Sequence, residues 1–149
     1  MAEIVLARDR WLPRVLDDAG ALLLEVVGGA DALHDPRTFT VPIGAEHVGS
    51  LRESVPRHLL LHGAMLPLCD AAGIGGPWDE GAAAALLDPI LLGTPQEVDT
   101  ALRGVRVARR ALIAHHASIA ALDRRDYFEA MRAGTVAADW ARVRAHEGV

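Results

Sequence analysis

Apolar residues recur at helical spacing in the first part of the chain, at Trp11, Val15, Leu22 and Val26. Separations of four and seven residues place side chains on one face of an α-helix. Asp9 is a suitable N-cap for such a helix, and Gly28 follows the last apolar position, where a helix can end with a positive φ. The pattern therefore predicts an amphipathic helix from about Asp9 to Val27.

Prolines punctuate the middle of the chain. The stretch from Asp31 to Ala45 is predicted to be a loop, in which Thr38 to Val41 is briefly extended. A helical region follows from about Glu46 to Ala72, and we expect Pro56 and Pro67 to kink or divide it. Because the residues between these prolines are apolar almost all round, the pattern is typical of a buried central helix.

The second half of the chain contains the clearest start of a helix. The tetrapeptide Thr94-Pro95-Gln96-Glu97 combines an N-cap, a proline at the first helical position and the Glu of a capping box. We predict one long helix from there to about Leu122. A shorter helix from about Trp78 to Leu91 precedes it, and further helix is expected from Asp123 to Ala133 and from Thr135 to about His146.

No segment alternates strictly between apolar and polar residues, so the sequence predicts no true strand. The expected fold class is all-α. The architecture predicted from these segments is a single-domain helical bundle or orthogonal array of about five or six helices, with its central helix kinked by proline.

Composition limits the class of protein. The chain has 149 residues, 51% of them hydrophobic, and a formal net charge of −5, which indicates one globular domain over residues 1–149 and argues against nucleic acid as a partner. All 15 cationic side chains are Arg, which we interpret as the codon bias of a GC-rich bacterial source. The single Cys69 allows no internal disulfide, and no apolar run has the features of a signal peptide or a membrane span. We therefore expect a cytoplasmic protein.

Histidine carries most of the candidate chemistry. His58 and His62 are four residues apart and share one face of the predicted central helix, whereas His115 and His116 lie on the later long helix. If these two helices pack through their apolar faces, both histidine pairs converge inside the bundle.

Three interpretations of this convergence remain open. His62 and His115 are candidate acid/base catalysts, with His58, His116 and Trp78 as candidate ligand-binding residues, because imidazole titrates near neutral pH. A divalent metal held by His58, His62 and His115 is the second interpretation. The third is structural, in which each ring packs in the core and donates one hydrogen bond to a carbonyl.

Two segments resemble the DinB-like family of helical metalloproteins. They are Val48 to Gly73, in which Gly49-Ser50-Leu51-Arg52-Glu53 leads into His58, and Ala114-His115-His116 followed by Ser118-Ile119. The resemblance covers a minority of the chain and implies a four-helix bundle whose three histidines hold a divalent metal.

Two functional classes follow from the sequence. The first is a small-molecule-binding helical protein, which would include an enzyme, with a histidine-lined pocket between two long helices. The second is a non-catalytic interaction or assembly module that oligomerises through its apolar, Ala-rich helices. Burying a polar ring on an apolar seam without a hydrogen-bond partner costs about 1–3 kcal/mol. The first class avoids this cost, because the histidine rings contact a ligand.

Overall fold

The computed structural model describes residues 2–8, 11–29 and 33–137 and shows an α+β fold. A four-stranded antiparallel sheet comes first in the chain, with strand order β1-β2-β3-β4, and helices follow it. The all-α prediction and the helical-bundle architecture are therefore wrong. The strands are β1 (Ala2–Leu6), β2 (Arg14–Asp18), β3 (Ala21–Gly28) and β4 (Arg37–Pro42).

The predicted first helix is a β-hairpin formed by β2 and β3. Asp18 pairs with Ala21, so the turn between the strands has two residues, Ala19 and Gly20, with φ values of 54° and 91°. A two-residue turn with positive φ at both positions matches the right-handed twist of the strands. The Asp17 side chain accepts a hydrogen bond from the Gly20 amide at 2.8 Å and supports this turn. Asp9, the predicted N-cap, lies outside the described residues.

One row of apolar side chains crosses the whole sheet. Leu6 pairs with Val15, Val15 with Leu24 and Leu24 with Val41, and all four side chains are fully buried. Directly opposite residues on adjacent strands place their side chains on the same face, so this row fixes the register of the sheet. It also defines the face that packs on the helices.

The helices of the described part begin directly after the sheet. Their bounds are α1 (Ala45–Glu53), α2 (Val55–Ala72), α3 (Glu80–Leu92), α4 (Pro95–Arg103), α5 (Arg109–Ala114), α6 (Ile119–Asp123) and α7 (Tyr127–Ala137). The predicted division near Pro56 is confirmed, because α1 ends before Ser54 and α2 begins after it. The Thr94 start is confirmed as well, with both hydrogen bonds of the capping box present.

α2 is the buried central helix that the sequence predicts. It contacts β3, α1, α3, α5 and α7, and most of its residues from His58 to Met65 have almost no exposed surface. Pro67 lies inside this helix without ending it. Its ring removes the amide that would otherwise bond to Gly63 O, and the Ala108 amide donates to that oxygen instead, at 2.8 Å.

The single long helix predicted from Thr94 to Leu122 is wrong. The chain leaves the helical path after Arg103 and again after Ala114, and His116 has a φ of 68°, so α4, α5 and α6 are three short helices. The predicted break between the helices ending at Ala133 and beginning at Thr135 is also wrong, because α7 continues through Gly134. Most of the helix predicted from Thr135 to His146 lies outside the described residues.

The sheet also separates this protein from the DinB-like bundle that two of its segments resemble, because that resemblance implies helices alone. Among the described residues, no helix is both long enough and apolar enough to cross a membrane.

Candidate functional site

His58 lies at the centre of the fold, with no exposed surface. Its Nε2 is 2.6 Å from the carbonyl oxygen of Pro13, which can only accept, so Nε2 carries the proton. The Arg8 guanidinium can only donate, and its Nη1 is 2.8 Å from Nδ1. Both ring nitrogens are therefore used within the fold.

The environment of His58 favours the neutral ring. Burial lowers the pKa of His58 to about 3, and the nearby charge of Arg8 lowers it as well. Arg8 also donates to the carbonyl oxygens of Leu51 and Arg52 at the C-terminal end of α1. His58 thus connects the segment after β1, the residue before β2 and the central helix, which is the structural role among the three interpretations.

His62 and His115 come together, as the sequence suggests, although His115 stands at the end of the short α5. Their ring centroids are 6.1 Å apart and the rings are almost perpendicular. His115 Nδ1 lies 2.9 Å from the carbonyl oxygen of Ala111 and must donate to it. In the neutral His115 ring, Nε2 is therefore the nitrogen with the lone pair.

A cleft of about 310 Å³ opens beside His62, between the sheet and α2. His62 is only 6% exposed, whereas the indole of Trp11 is half exposed. Most of the remaining wall is apolar or glycine, and Asp70 adds a carboxylate. The lining residues are Trp11, Val27, Gly28, Gly29, Pro36, His62, Leu66 and Asp70.

Two features hold the sheet close to α2 at this cleft. A Cβ added to Gly28 would lie 2.6 Å from the Cβ of Cys69, so only glycine permits this approach of β3 to the helix. Arg37 of β4 donates to the carbonyl oxygens of Gly73 and Gly76, at 2.8 and 2.9 Å, just beyond the end of α2. The cleft is therefore formed by well-anchored backbone.

Cys69 belongs to the core beneath the cleft. Its thiol is fully buried, and burial, followed by the charge of Asp70, raises its pKa to about 12. A thiol with so high a pKa is not a nucleophile near neutral pH.

Trp78 and His116, two of the predicted ligand-binding residues, lie outside the cleft lining. Trp78 stacks on Phe39 with a centroid distance of 4.6 Å and donates to the carbonyl oxygen of Thr40, so it joins the start of α3 to β4. His116 is exposed, with its backbone in the left-handed region.

The predicted metal ligands do not assemble into a three-ligand group. Among residues 2–8, 11–29 and 33–137, no set of three His, Cys, Asp or Glu side chains is placed to hold a metal ion. His58, one of the three predicted ligands, uses both ring nitrogens in hydrogen bonds with Arg8 and Pro13.

Sequence reasoning missed Arg8, Trp11 and Asp70 as parts of this region. The spacing of apolar residues predicts Trp11 on the core-facing seam of a helix, whereas it precedes the β2–β3 hairpin and lines the cleft. Arg8 had no local signal, since its contacts to His58 and α1 connect residues more than 40 positions apart. Asp70 could have been found, because it lies two turns after His62 on the helix that the sequence does predict.

The fold and the cleft together define an α+β protein with a ligand-sized cleft where the sheet meets its central helix. The chain belongs to the family described as "Family of unknown function (DUF6357)", which matches residues 1–148. No curated protein and no solved structure matches the chain.

Proposed function

We propose that this protein binds a small molecule in the cleft between the sheet and α2. The observation that carries the proposal is the position of His62, an almost fully buried imidazole that nevertheless lines the cleft. Binding sites for small molecules are commonly concave and mostly apolar, with a few polar groups that fix the orientation of the ligand. The cleft has this composition.

The lining indicates the kind of ligand. Trp11 offers a half-exposed aromatic face, and Val27, Pro36 and Leu66 offer apolar surface. Stacking and apolar contact favour a compact ligand with an aromatic or apolar body. The His62 ring, at the buried side of the cleft, would then form a hydrogen bond with one polar group of that ligand.

If the protein is an enzyme, His62 and His115 are the residues that would exchange protons with the ligand. The perpendicular contact between their rings and the hydrogen bond from His115 to Ala111 fix the orientation of both imidazoles. A fixed ring orientation favours proton transfer at one defined nitrogen. The proposal itself is binding, and acid/base chemistry is a further step within it.

The binding test compares two histidine variants. A library of small aromatic and heteroaromatic compounds is screened against the unmodified protein by saturation-transfer NMR, and dissociation constants are measured for the hits. Because His62 contacts the ligand, His62→Gln is expected to weaken binding by about tenfold or more.

His116→Asn is the matched control. His116 is exposed, and asparagine tolerates the positive φ of this position. The variant is expected to bind the hits as the unmodified protein does. Equal affinity in His62→Gln and in the unmodified protein would contradict the proposal.

The alternative function is self-association through exposed apolar surface, and a measurement of mass distinguishes it from ligand binding. The exposed large apolar side chains of the described part include Trp11, Ile74 and Ile119. If the chain assembles through such residues, sedimentation velocity will show a concentration-dependent increase in mass. The binding proposal instead predicts that the hits bind without a change in mass.

We also infer a cytoplasmic location. A single cysteine, buried and with a raised pKa, is suited to a reducing compartment because no internal disulfide depends on oxidation.

A further inference from the structure

A second concave region borders α2, and the segment between α4 and α5 forms one wall of it. This segment is fixed by the proline inside α2, because Ala108 donates to the carbonyl oxygen of Gly63 that Pro67 leaves without a helical donor. A Cβ on Gly63 would lie 2.9 Å from Leu112 Cδ2, so the glycine also allows α5 to approach closely. The wall is therefore held at a set distance from α2.

Two adjoining hollows lie between this wall and α2. The first has a volume of about 380 Å³, and its lining includes Asp70, Arg106 and Val107. The second, of about 360 Å³, extends between α2 and α3 and is mostly apolar, with Leu68 and Leu86 in its lining. Pro67, Ala71 and Arg106 line both hollows, so the two lie next to each other.

Among the described residues that line the two hollows, Arg106 and Asp70 are the charged ones. Within the described part of the chain, neither of them forms a salt bridge or hydrogen bond with another side chain. Both charges of the first hollow are thus available to a ligand.

We infer that this region binds a small zwitterion of the α-amino acid type with an apolar side chain. Arg106 pairs with the carboxylate, for which the guanidinium fork is well suited, and Asp70 pairs with the ammonium group. The apolar side chain enters the hollow between α2 and α3. This site is separate from the cleft that contains His62, although Asp70 lines both.

Charge complementarity favours the zwitterion over ligands with a single charge. A simple carboxylate would bring its negative charge towards Asp70, and a simple amine would bring its positive charge towards Arg106. A zwitterion satisfies both residues and leaves no like charges facing each other.

Calorimetric titration with L-leucine and L-phenylalanine tests the inference on the full chain. N-acetyl-L-leucine keeps only the carboxylate and L-leucinamide keeps only the ammonium group, so each is expected to bind about tenfold or more weakly than L-leucine. Arg106→Gln and Asp70→Asn are expected to cause a similar loss for L-leucine.

The control variants are Arg110→Gln and Glu53→Gln, which remove an exposed charge of each sign outside the hollows and should leave L-leucine binding unchanged. His62→Gln should also leave it unchanged, which separates this site from the proposed cleft. The inference is overturned if neither amino acid binds at millimolar concentration, if both single-charge analogues bind as well as L-leucine, or if Arg106→Gln binds as tightly as the unmodified chain. Circular dichroism shows that each variant has folded before it is titrated.

Discussion

At the scale of single residues, His58 shows how a buried imidazole can serve the fold. The ring donates to Pro13 O and accepts from Arg8, so a proton added to Nδ1 would remove an acceptor and place two cations side by side. The neutral ring is therefore the form that the folded protein stabilises. As a consequence, the stability of the folded protein depends on pH.

The first residue-scale prediction concerns the stability of the protein at acidic pH. The pKa of His58 is about 3 in the folded protein and near 6.5 in the unfolded chain, so below pH 6.5 the unfolded chain binds a proton that the folded protein does not. This contribution to stability is present above pH 6.5 and is lost as the pH falls towards 3. Between pH 7 and pH 5 the loss of this contribution lowers the free energy of unfolding by about 2 kcal/mol.

Urea denaturation at several pH values measures this loss. In His58→Gln the contribution disappears, so its stability should change less between pH 7 and pH 5 than that of the unmodified chain. His116→Asn should retain the full pH dependence. An equal pH dependence in His58→Gln and in the unmodified chain would show that His58 is not the responsible group.

The second residue-scale prediction concerns Ala19. This residue adopts a φ of 54° in the turn between β2 and β3, a conformation that costs alanine about 1–2 kcal/mol. Ala19→Asn would create Asn-Gly, the pair that such two-residue turns prefer. We expect the variant to be more stable by about 0.5–1 kcal/mol in urea denaturation, and a loss of stability would contradict the assigned turn.

At the scale of elements, the central helix depends on close approach at Gly63. A Cβ at this position would come within 2.9 Å of Leu112, whereas a Cβ on Gly49 in α1 would meet nothing within 4 Å. The two glycines are therefore a matched pair. One is required by packing between α2 and α5, and the other only adds flexibility to a helix.

We expect alanine substitutions at these two glycines to change the stability of the protein in opposite directions. Gly63→Ala should destabilise the protein by about 1–3 kcal/mol, because Leu112 must move away from α2. Gly49→Ala should stabilise it by about 0.5–1 kcal/mol, since alanine is the better helix former. Thermal and urea unfolding of both variants measure these changes, and a destabilised Gly49→Ala together with an unaffected Gly63→Ala would refute the assignment.

At the scale of the whole molecule, the helix features that depend on neighbouring residues could be predicted from the sequence. Thr94 begins α4 because its side chain and Glu97 complete a capping box within four residues. The division before Pro56 and the burial of α2 follow from proline chemistry and from the continuous apolar run around Leu60. These features depend on nearby residues alone.

The sheet was not predictable by the same reasoning, because its signal is ambiguous. Residues four positions apart, such as Leu22 and Val26, share a face in a strand as well as in a helix. The arrangement is decided by contacts distant in sequence, such as the pairing of Leu24 with Val41. For the same reason the cleft was predicted between two long helices, whereas it lies between the sheet and α2.

Chemical-shift mapping shows whether ligands occupy the cleft between the sheet and α2. Histidine and tryptophan side chains are labelled with ¹⁵N, and the aromatic hits from the screen are added to the unmodified chain. We expect the resonances of the His62 ring nitrogens and of the Trp11 indole to shift together, while those of His47 and Trp78 stay in place. Shifts that spare His62 and Trp11 while the hits bind would contradict the binding proposal.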